Sequence, residues 1–375
     1  MRYCARCVLP DTRPNLTIGP GGICNACAMH ASRATIDWEA RKRAFRKVVA
    51  RAKTRSRGYD CLVPVSGGKD SHWQVVACLE QDLRVLAVTW KPPARTEIGR
   101  ANLENLVRLG VDHVDYSISL EVERRFAREV FLRCGSSAIP MHMAIFNVPL
   151  RIAAALRVPL VVWGENSAFE YGGTREESRG FALDERWIRK YGVTHGTKAR
   201  DWVGKGGLTA KDLAPYFGPT PAQLSRAGVR AVFLGYYFPW DPLKTCQVAR
   251  RHGFRAGTGP KTGVYDFADI DDDFISVHHH LKWHKFGFTR SFDNLSLEIR
   301  NGRMTRDEAI AALRKKGDET PHGDIRRFCS FTGISEREFS GACERFRNRE
   351  IWKRVKGRWT IPGFLIPDWT WRKTV

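Results

Sequence analysis

The chain has 375 residues, of which 43% are hydrophobic, and its 62 Lys and Arg against 40 Asp and Glu give a formal charge of +22. This composition predicts a soluble protein of two or three structural units, and the lack of an apolar run of about eighteen residues argues against a membrane span. The positive charge favours an anionic partner without choosing among nucleic acid, a nucleotide-linked substrate, an acidic protein and anionic lipid.

Ten cysteines, including two CxxC pairs, are typical of a reducing compartment rather than of a disulfide scaffold. The first residues, MRYCARC, lack the apolar stretch of a secretory signal. We therefore expect a cytoplasmic protein.

Regions of different composition follow one another along the chain. Residues 1–32 read as a small cysteine-rich unit and residues 33–57 as a basic linker helix. Strands and helices alternate over residues 58–270, interrupted at 166–228 by an insertion rich in Gly, aromatic and charged residues, which we expect to shape a substrate site. Residues 271–375 read as mainly helical.

The alternating region predicts an α/β fold with a doubly wound parallel sheet. The strands are expected in DCLVPV, LRVLAVTW, DHVDYSI, VPLVVW and RAVFLGYY, and helices are expected between them and in ALDERWIRKYG and TAKDLAPYFG of the insertion. Ligands of such sheets bind beyond the carboxyl ends of the strands. The motifs that follow the strands should therefore face one crevice.

A glycine-rich loop lies at the first strand-to-helix corner, where unpaired helix amides favour an anion. Two glycines let the backbone approach a phosphate, two serines add hydroxyl donors, a lysine neutralises charge and an aspartate can hold magnesium. We expect phosphate to bind the residues of this loop: Ser66, Gly67, Gly68, Lys69, Asp70 and Ser71.

Four cysteines in the pattern CxxC-x16-CxxC predict a closed zinc site in the amino-terminal unit. This spacing allows two tight turns to surround one ion, and four thiolates leave no open coordination position. The zinc would be structural and would replace a core that so short a segment cannot build. Its ligands would be Cys4, Cys7, Cys24 and Cys27.

The loop PVSGGKDS resembles the signature of the ATP-pyrophosphatase (PP-loop) superfamily and differs from the mononucleotide P-loop. Together with the CxxC pairs, the strand end VVWGEN and the carboxyl-terminal stretch LKWHKFGFTRSFDNLSLEIRNGRMTRDEAI, it makes the chain similar to the N-acetyl sugar amidotransferases. The resemblance implies an adenine nucleotide alpha hydrolase-like fold, with ATP and Mg²⁺ at the loop.

The resemblance also implies an activity. In that family ATP activates the acetamido group of a sugar, ammonia replaces the oxygen, an acetamidino group forms, and AMP and pyrophosphate leave. The pathways build bacterial surface polysaccharides, such as lipopolysaccharide O-antigen or nonulosonic acids. The implied partners are an acetamido sugar, expected to be nucleotide-linked, and a separate glutaminase subunit; a cyclase-like channel subunit is a further candidate.

Four residues outside the loop are candidate catalytic residues. Glu165 and Asn166, at the end of a predicted strand, would bind magnesium or orient the substrate amide, unless Asn166 only caps a turn. Lys285 and Arg290 would stabilise charge on departing pyrophosphate. An exposed basic turn is the alternative for that pair, and the resemblance favours the catalytic role.

Two conspicuous clusters are interpreted as structural. His278, His279 and His280 are expected on a helix, where consecutive side chains point about 100° apart and do not all face one ion. The acidic run at 271–273 is expected to be a helix-start charge cluster. No glutaminase signature occurs in the sequence, so ammonia is expected from elsewhere.

A tRNA thiolase is the alternative function. Members of that PP-loop branch also carry CxxC pairs before the loop, and the charge of +22 would suit RNA. Thiolases commonly use a further CxxC in the catalytic domain, whereas Cys134 and Cys246 each stand alone here. Nucleic acid therefore remains the partner in this second reading.

Overall fold

A computed structural model describes residues 1–174, 176–177, 180 and 182–371. Its central sheet has five parallel strands in the order β3-β2-β1-β4-β5. The strands are β1 (Cys61–Pro64), β2 (Val85–Trp90), β3 (Asp112–Tyr116), β4 (Leu160–Trp163) and β5 (Arg230–Phe233). Cys61 lies opposite Val85 on one side and opposite Leu160 on the other. The order reverses between β1 and β4, so the loops that follow these two strands meet at a switch point.

The helices surround this sheet and extend beyond it. They are α1 (Asn25–Ala31), α2 (Trp38–Arg55), α3 (Lys69–Leu79), α4 (Glu97–Val107), α5 (Leu120–Cys134), α6 (Ala138–Leu156), α7 (Ser167–Tyr171), α8 (Glu185–Tyr191), α9 (Pro221–Ala227), α10 (Leu234–Tyr237), α11 (Pro242–Arg251), α12 (Phe274–Phe286), α13 (Arg290–Arg300), α14 (Arg306–Lys316), α15 (His322–Thr332) and α16 (Glu336–Arg345).

Both faces of the sheet are covered, because successive strand residues point to opposite sides. Leu62 belongs to a core cluster with residues of α5 and α6, whereas Val63 belongs to a second cluster with residues of α2 and α3. The prediction of an α/β fold with a parallel sheet between layers of helices is confirmed.

Helix α6 is long and apolar enough to cross a membrane by length and composition alone. It lies against the sheet, where β1, β2 and β4 contact it, and more than half of its most apolar stretch is buried inside the protein. These contacts identify α6 as a core helix of the α/β unit.

The cysteine-rich unit does not have a core of its own. Cys4, Leu9 and Cys27 share one apolar cluster with Phe292 and Ile361 from the carboxyl-terminal region. The amino-terminal unit and the carboxyl-terminal helices therefore bury their apolar surfaces against each other.

Three local expectations differ from the structure. The predicted strand RAVFLGYY ends at Phe233, and its second half forms α10, because Leu234 and Tyr237 pack into the core on a helical turn. The expected helix in TAKDLAPYFG is only a 3-10 turn at Ala214–Tyr216. The carboxyl-terminal region contains, besides helices, an antiparallel hairpin of β6 (Lys353–Val355) and β7 (Arg358–Thr360).

Candidate functional site

The glycine-rich loop joins β1 to the amino end of α3 in a conformation that requires glycine. Gly67 has φ +90°, and a Cβ on it would lie 2.8 Å from the Leu103 amide nitrogen and 2.9 Å from the Gly99 carbonyl oxygen, both in α4. Gly68, in extended backbone, immediately precedes α3. The loop thus fits closely between α4 and the start of α3.

The two serines hold this loop in shape. The Ser66 amide donates to the Ser71 hydroxyl at 3.0 Å, and the Gly68 amide donates to the Ser66 hydroxyl at 3.3 Å. A helix amino terminus with oriented amides and hydroxyls stabilises an anion. The predicted strand-to-helix corner is confirmed, and its groups have the chemistry that phosphate binding needs.

Lys69, which is buried, and Asp70, which is partly exposed, form an ion pair in the first turn of α3. Lys69 is 5% exposed, and its ammonium lies 5.4 Å from the centre of the Trp240 ring. Oδ1 of Asp70 accepts from Trp240 Nε1 at 2.9 Å and from the Thr245 hydroxyl at 3.1 Å. These contacts fix the direction of the Asp70 carboxylate, which keeps a partly exposed edge and is suited to a hard cation.

Glu165 follows β4 and lies in the same crevice as the loop. Burial and the nearby charge of Asp70 raise the pKa of Glu165 to about 7, against the opposing effect of Lys69. A carboxyl group with such a pKa exchanges a proton near neutral pH, as a general acid or base must.

Acidic residues before α12 form the opposite wall. Burial raises the pKa of Asp271 above its ordinary value, with Ser66 opposing, and raises the pKa of Asp272 to about 8. Burial would do the same at Asp269, but Arg290 and His279 outweigh it, and the pKa of Asp269 lies well below its usual range. Asp269 is thus the ionised carboxylate of this wall, whereas burial disfavours ionisation of Asp271 and Asp272.

The crevice consists of two adjoining cavities that share part of their lining. The smaller, of about 230 Å³, is polar and contains the loop, Asp70 and Arg290; we call it the phosphate compartment. The larger, of about 430 Å³, is walled by Trp90, Trp163 and Trp187 and is called the aromatic compartment. Ser66, Ser71, Glu165, Asp269 and Asp271 line both.

The insertion takes part in this crevice. Ser167, Trp187, Tyr191 and Val193, all within 166–228, line the aromatic compartment. Their place agrees with the expectation that the insertion shapes a ligand site. Arg175, Ser178, Arg179 and Phe181 of the insertion lie outside the described residues.

Asn166, one of the predicted site residues, makes all the hydrogen bonds of its side chain within the protein. Asn166 caps α7: its Oδ1 accepts from Ala168 and Trp187, and its Nδ2 donates to the carbonyls of Glu177 and Gly180. This is the capping alternative rather than a ligand-binding one, because no polar atom of its side chain is left for a substrate.

Lys285 does not reach the crevice. It lies in the last turn of α12, donates to the Cys134 carbonyl at 2.6 Å and packs over Phe346. Burial lowers the pKa of Lys285 to about 8. Arg290, by contrast, lines the phosphate compartment. The structure therefore places only Arg290 of this pair where it can meet a phosphate.

Sequence reasoning missed the acidic wall. The run at 271–273 does begin a helix, and Oδ1 of Asp272 accepts from the Phe274 amide at 3.1 Å. Asp269 and Asp271 nevertheless face the crevice. The sequence signal that could have revealed this wall is Asp269, a carboxylate two residues before the acidic run at 271–273.

The four amino-terminal cysteines fit a zinc ion. Their Sγ atoms all lie within 4.8 Å of one another, with 4.0 Å between Cys4 and Cys27 and 3.8 Å between Cys7 and Cys24. Zinc–sulfur bonds of about 2.3 Å in a tetrahedron place the sulfurs about 3.8 Å apart. Amides of Cys7, Cys24 and Cys27 also donate to sulfurs of the cluster. The residues can hold zinc in a closed, structural site.

Arg300 supports the charge of that site. Its guanidinium is buried, and within the described residues neither terminal nitrogen has a hydrogen-bond partner. Burial lowers the pKa of Arg300, but the charges of Cys7 and Cys27 outweigh this effect. A nearby cation offsets the net negative charge of an ion bound by four thiolates.

Residues 262–363 match the family model described as LPS biosynthesis protein WbpG-like, C-terminal domain. No curated protein shows significant similarity to the chain. The matched region supplies Asp269, Asp271 and Arg290 to the crevice. The match supports a role for the chain in lipopolysaccharide biosynthesis.

Proposed function

We propose that the chain is an ATP-dependent amidotransferase of surface-polysaccharide biosynthesis, with an ATP-pyrophosphatase (PP-loop) site. The acetamido oxygen of an N-acetylated sugar attacks the α-phosphorus of ATP, and pyrophosphate leaves. Ammonia then attacks the activated carbon, AMP departs with the oxygen, and an acetamidino group remains. The observation that carries the proposal is that the phosphate compartment and the aromatic compartment adjoin, with Glu165 among the residues that line both.

The phosphate compartment supports the first step. The loop supplies helix amides and hydroxyls, Lys69 supplies one cation, and Arg290 supplies a second from the opposite wall. Donors that are already oriented stabilise charge as it develops on a departing pyrophosphate. Asp70, with Asp271 nearby, would hold Mg²⁺, which neutralises phosphate charge when bound.

The aromatic compartment supports binding of a sugar or nucleoside. Trp90, Trp163 and Trp187 offer flat apolar faces, and within the described residues the buried Trp163 Nε1 has no hydrogen-bond partner. Flat apolar faces of this kind pack against the ring of a sugar or a nucleobase.

Glu165 is the residue best suited to remove a proton in the second step. Ammonia carries one proton too many after it attacks the activated carbon, and a carboxylate beside both compartments can accept it. The pKa of Glu165 is raised to about 7, which makes its carboxylate a stronger base than an ordinary one. At neutral pH a large fraction of this carboxylate is still ionised and can accept a proton.

A separate glutaminase is proposed as the ammonia source. With glutamine alone the chain should form little amidine, whereas ammonium at alkaline pH, where more free ammonia is present, should support the reaction. A matched glutaminase should restore glutamine use at neutral pH.

A tRNA thiolase is the second candidate, and one observation weighs against it. Among the described residues that line the two compartments there is no cysteine to carry sulfur. Cys61 and Cys78 contact each other but are buried away from the crevice.

One experiment separates the two functions. The chain is incubated with ATP, Mg²⁺ and a panel of nucleotide-linked acetamido sugars, with ¹⁵N-ammonium in one arm and with tRNA and a sulfur donor in another. AMP formation together with ¹⁵N in a sugar supports the amidotransferase. Sulfur in tRNA without labelled sugar would replace it with the thiolase, and ADP as the product would contradict both.

A further inference from the structure

A second cluster of metal-ligand residues lies far from the four-cysteine site in sequence. His280 and His284 lie one turn apart on α12, and Cys343 comes from α16. Their ligand atoms all lie within 4.8 Å of one another. Residues spaced by four on a helix share one face, so two imidazoles and a thiol meet at one point.

The histidines are oriented as metal ligands usually are. Nδ1 of His284 lies 3.3 Å from the His280 carbonyl oxygen, to which it can donate, and this leaves Nε2 as the coordinating nitrogen. The His280 ring stacks on Phe339 with 6.3 Å between ring centres. A hydrogen bond to one histidine and an aromatic contact to the other restrict both rings.

All three residues line one cavity of about 320 Å³, whose other walls come from the part of the chain that follows α12. Trp283, Trp352 and Trp371 form much of its wall. The guanidinium of Arg347 also faces it, but Arg347 is paired with Glu344. The carboxylate of Glu344 thus balances the charge of Arg347, and Lys285 is a second cation whose charge interacts with Cys343.

We propose that His280, His284 and Cys343 bind a second zinc ion, whose fourth coordination position opens into this cavity. Two imidazoles and one thiolate are ligands that zinc prefers, and three protein ligands leave room for water or a small oxygen-donor ligand such as a carboxylate. The Cys343 thiol releases its proton when the metal binds. This site is independent of the proposed amidotransferase reaction, and, unlike the four-cysteine site, it is open.

The test is the zinc content of the whole chain after incubation with zinc chloride and removal of loosely bound metal. The wild type should hold about two zinc ions, and Cys343→Ala about one. Cys329→Ala is the matched control, because Cys329 is a buried thiol of the same apolar cluster but is not in the metal-ligand group. It should still hold about two.

A second variant shows whether a lower zinc content results from loss of a ligand or from misfolding. His280→Asn changes a half-buried side chain and should also reduce the zinc content to about one, with an unchanged circular dichroism spectrum. A wild type that holds only one zinc, or His280→Asn and Cys343→Ala that each keep two, would overturn the second site. Loss of both ions in folded His280→Asn would also contradict it, because the two sites would not be separate.

Discussion

Arg290 Nε donates to Oδ2 of Asp269 at 2.8 Å, which ties the first residue of α13 to the wall of the phosphate compartment. Asp269 has φ +57°, and His279 lies 3.6 Å from the same carboxylate oxygen. Nη2 also donates to Oδ1 of Asp269 at 3.4 Å, and Nη1 lies 3.8 Å from Oδ2 of Asp293. Two carboxylates therefore hold the guanidinium in place where it lines the phosphate compartment.

Arg290→Lys should lower the rate of ATP-dependent pyrophosphate release by about 100-fold, because a lysine does not reproduce the planar guanidinium. Lys285→Met is the contrasting change: the rate should stay within about two-fold, since Lys285 contacts the Cys134 carbonyl and not the crevice. Thermal unfolding measured on both variants separates activity from stability. Equal loss in both would contradict the assignment to Arg290.

Asp70→Asn should reduce AMP formation by at least about 100-fold and weaken its dependence on Mg²⁺, because an amide binds a hard cation poorly. Asp82→Asn is the control, since Asp82 also carries a carboxylate paired with a lysine but is fully exposed at the other end of α3. The measurement is AMP and pyrophosphate by chromatography over a magnesium titration. Full activity of Asp70→Asn would remove the magnesium role.

The amidation rate, expressed per free ammonia, should rise with pH through about 7, because Glu165 must be ionised to accept a proton. Glu165→Gln should lose this rise and be slower above that pH. The pH dependence of kcat/KM for both proteins provides the check. A wild-type profile that is flat in this range speaks against Glu165 as the base.

Glu123 should make stability depend on pH. Burial raises its pKa to about 8, while Trp90 Nε1 donates to it at 2.7 Å. Between the unfolded pKa, near 4.5, and about 8, the folded state keeps a proton that the unfolded state has lost, so stability falls as pH rises.

Glu123→Gln removes this loss of stability, because the glutamine side chain is neutral in the folded and in the unfolded state. Relative to wild type it should gain roughly 2 to 4 kcal/mol of unfolding free energy between about pH 5 and pH 8. Urea denaturation at both pH values measures it. Glu121→Gln, an exposed neighbour on α5, should show no comparable gain.

Cys24→Ser should remove the zinc of the four-cysteine site and lower the stability of the carboxyl-terminal helices as well, because Cys24 shares an apolar cluster with Phe292 and Ile361. Metal analysis and hydrogen exchange over α13 report the two effects. Cys78→Ser should leave the zinc content unchanged, because Cys78 is buried and belongs to no metal-ligand group among the residues that the structure describes. Retention of this zinc by Cys24→Ser would contradict the site.

The parts of the fold that were predictable from sequence depend on neighbouring residues. The loop at 66–71 and the end of β4 follow from strand and helix patterns over about ten residues, and parallel strands bring such ends to one edge. The CxxC spacing likewise determines how the four thiols are arranged around one point. Local patterns thus predicted the sheet, the corner and the cysteine cluster.

The remaining features depend on contacts between distant segments. Lys285 and Arg290 differ by five positions, yet only the packing of α12 decides that one contacts the Cys134 carbonyl and the other Asp269. Asn166 caps α7 through a local bond from the Ala168 amide, but it is Trp187, distant in sequence, that takes the second acceptor position of its Oδ1. Long polar side chains can reach several partners, and tertiary structure selects among them.

The apolar cluster that joins Cys4 and Leu9 to Phe292 and Ile361 has a consequence for how the chain is made. Synthesis proceeds from the amino terminus, so Cys4 and Leu9 leave the ribosome well before Phe292 and Ile361 can cover them. A contact of such long sequence separation forms slowly. Until the carboxyl-terminal helices are made, the apolar residues of the cysteine-rich unit stay uncovered, and exposed apolar surface of this kind favours aggregation or chaperone binding.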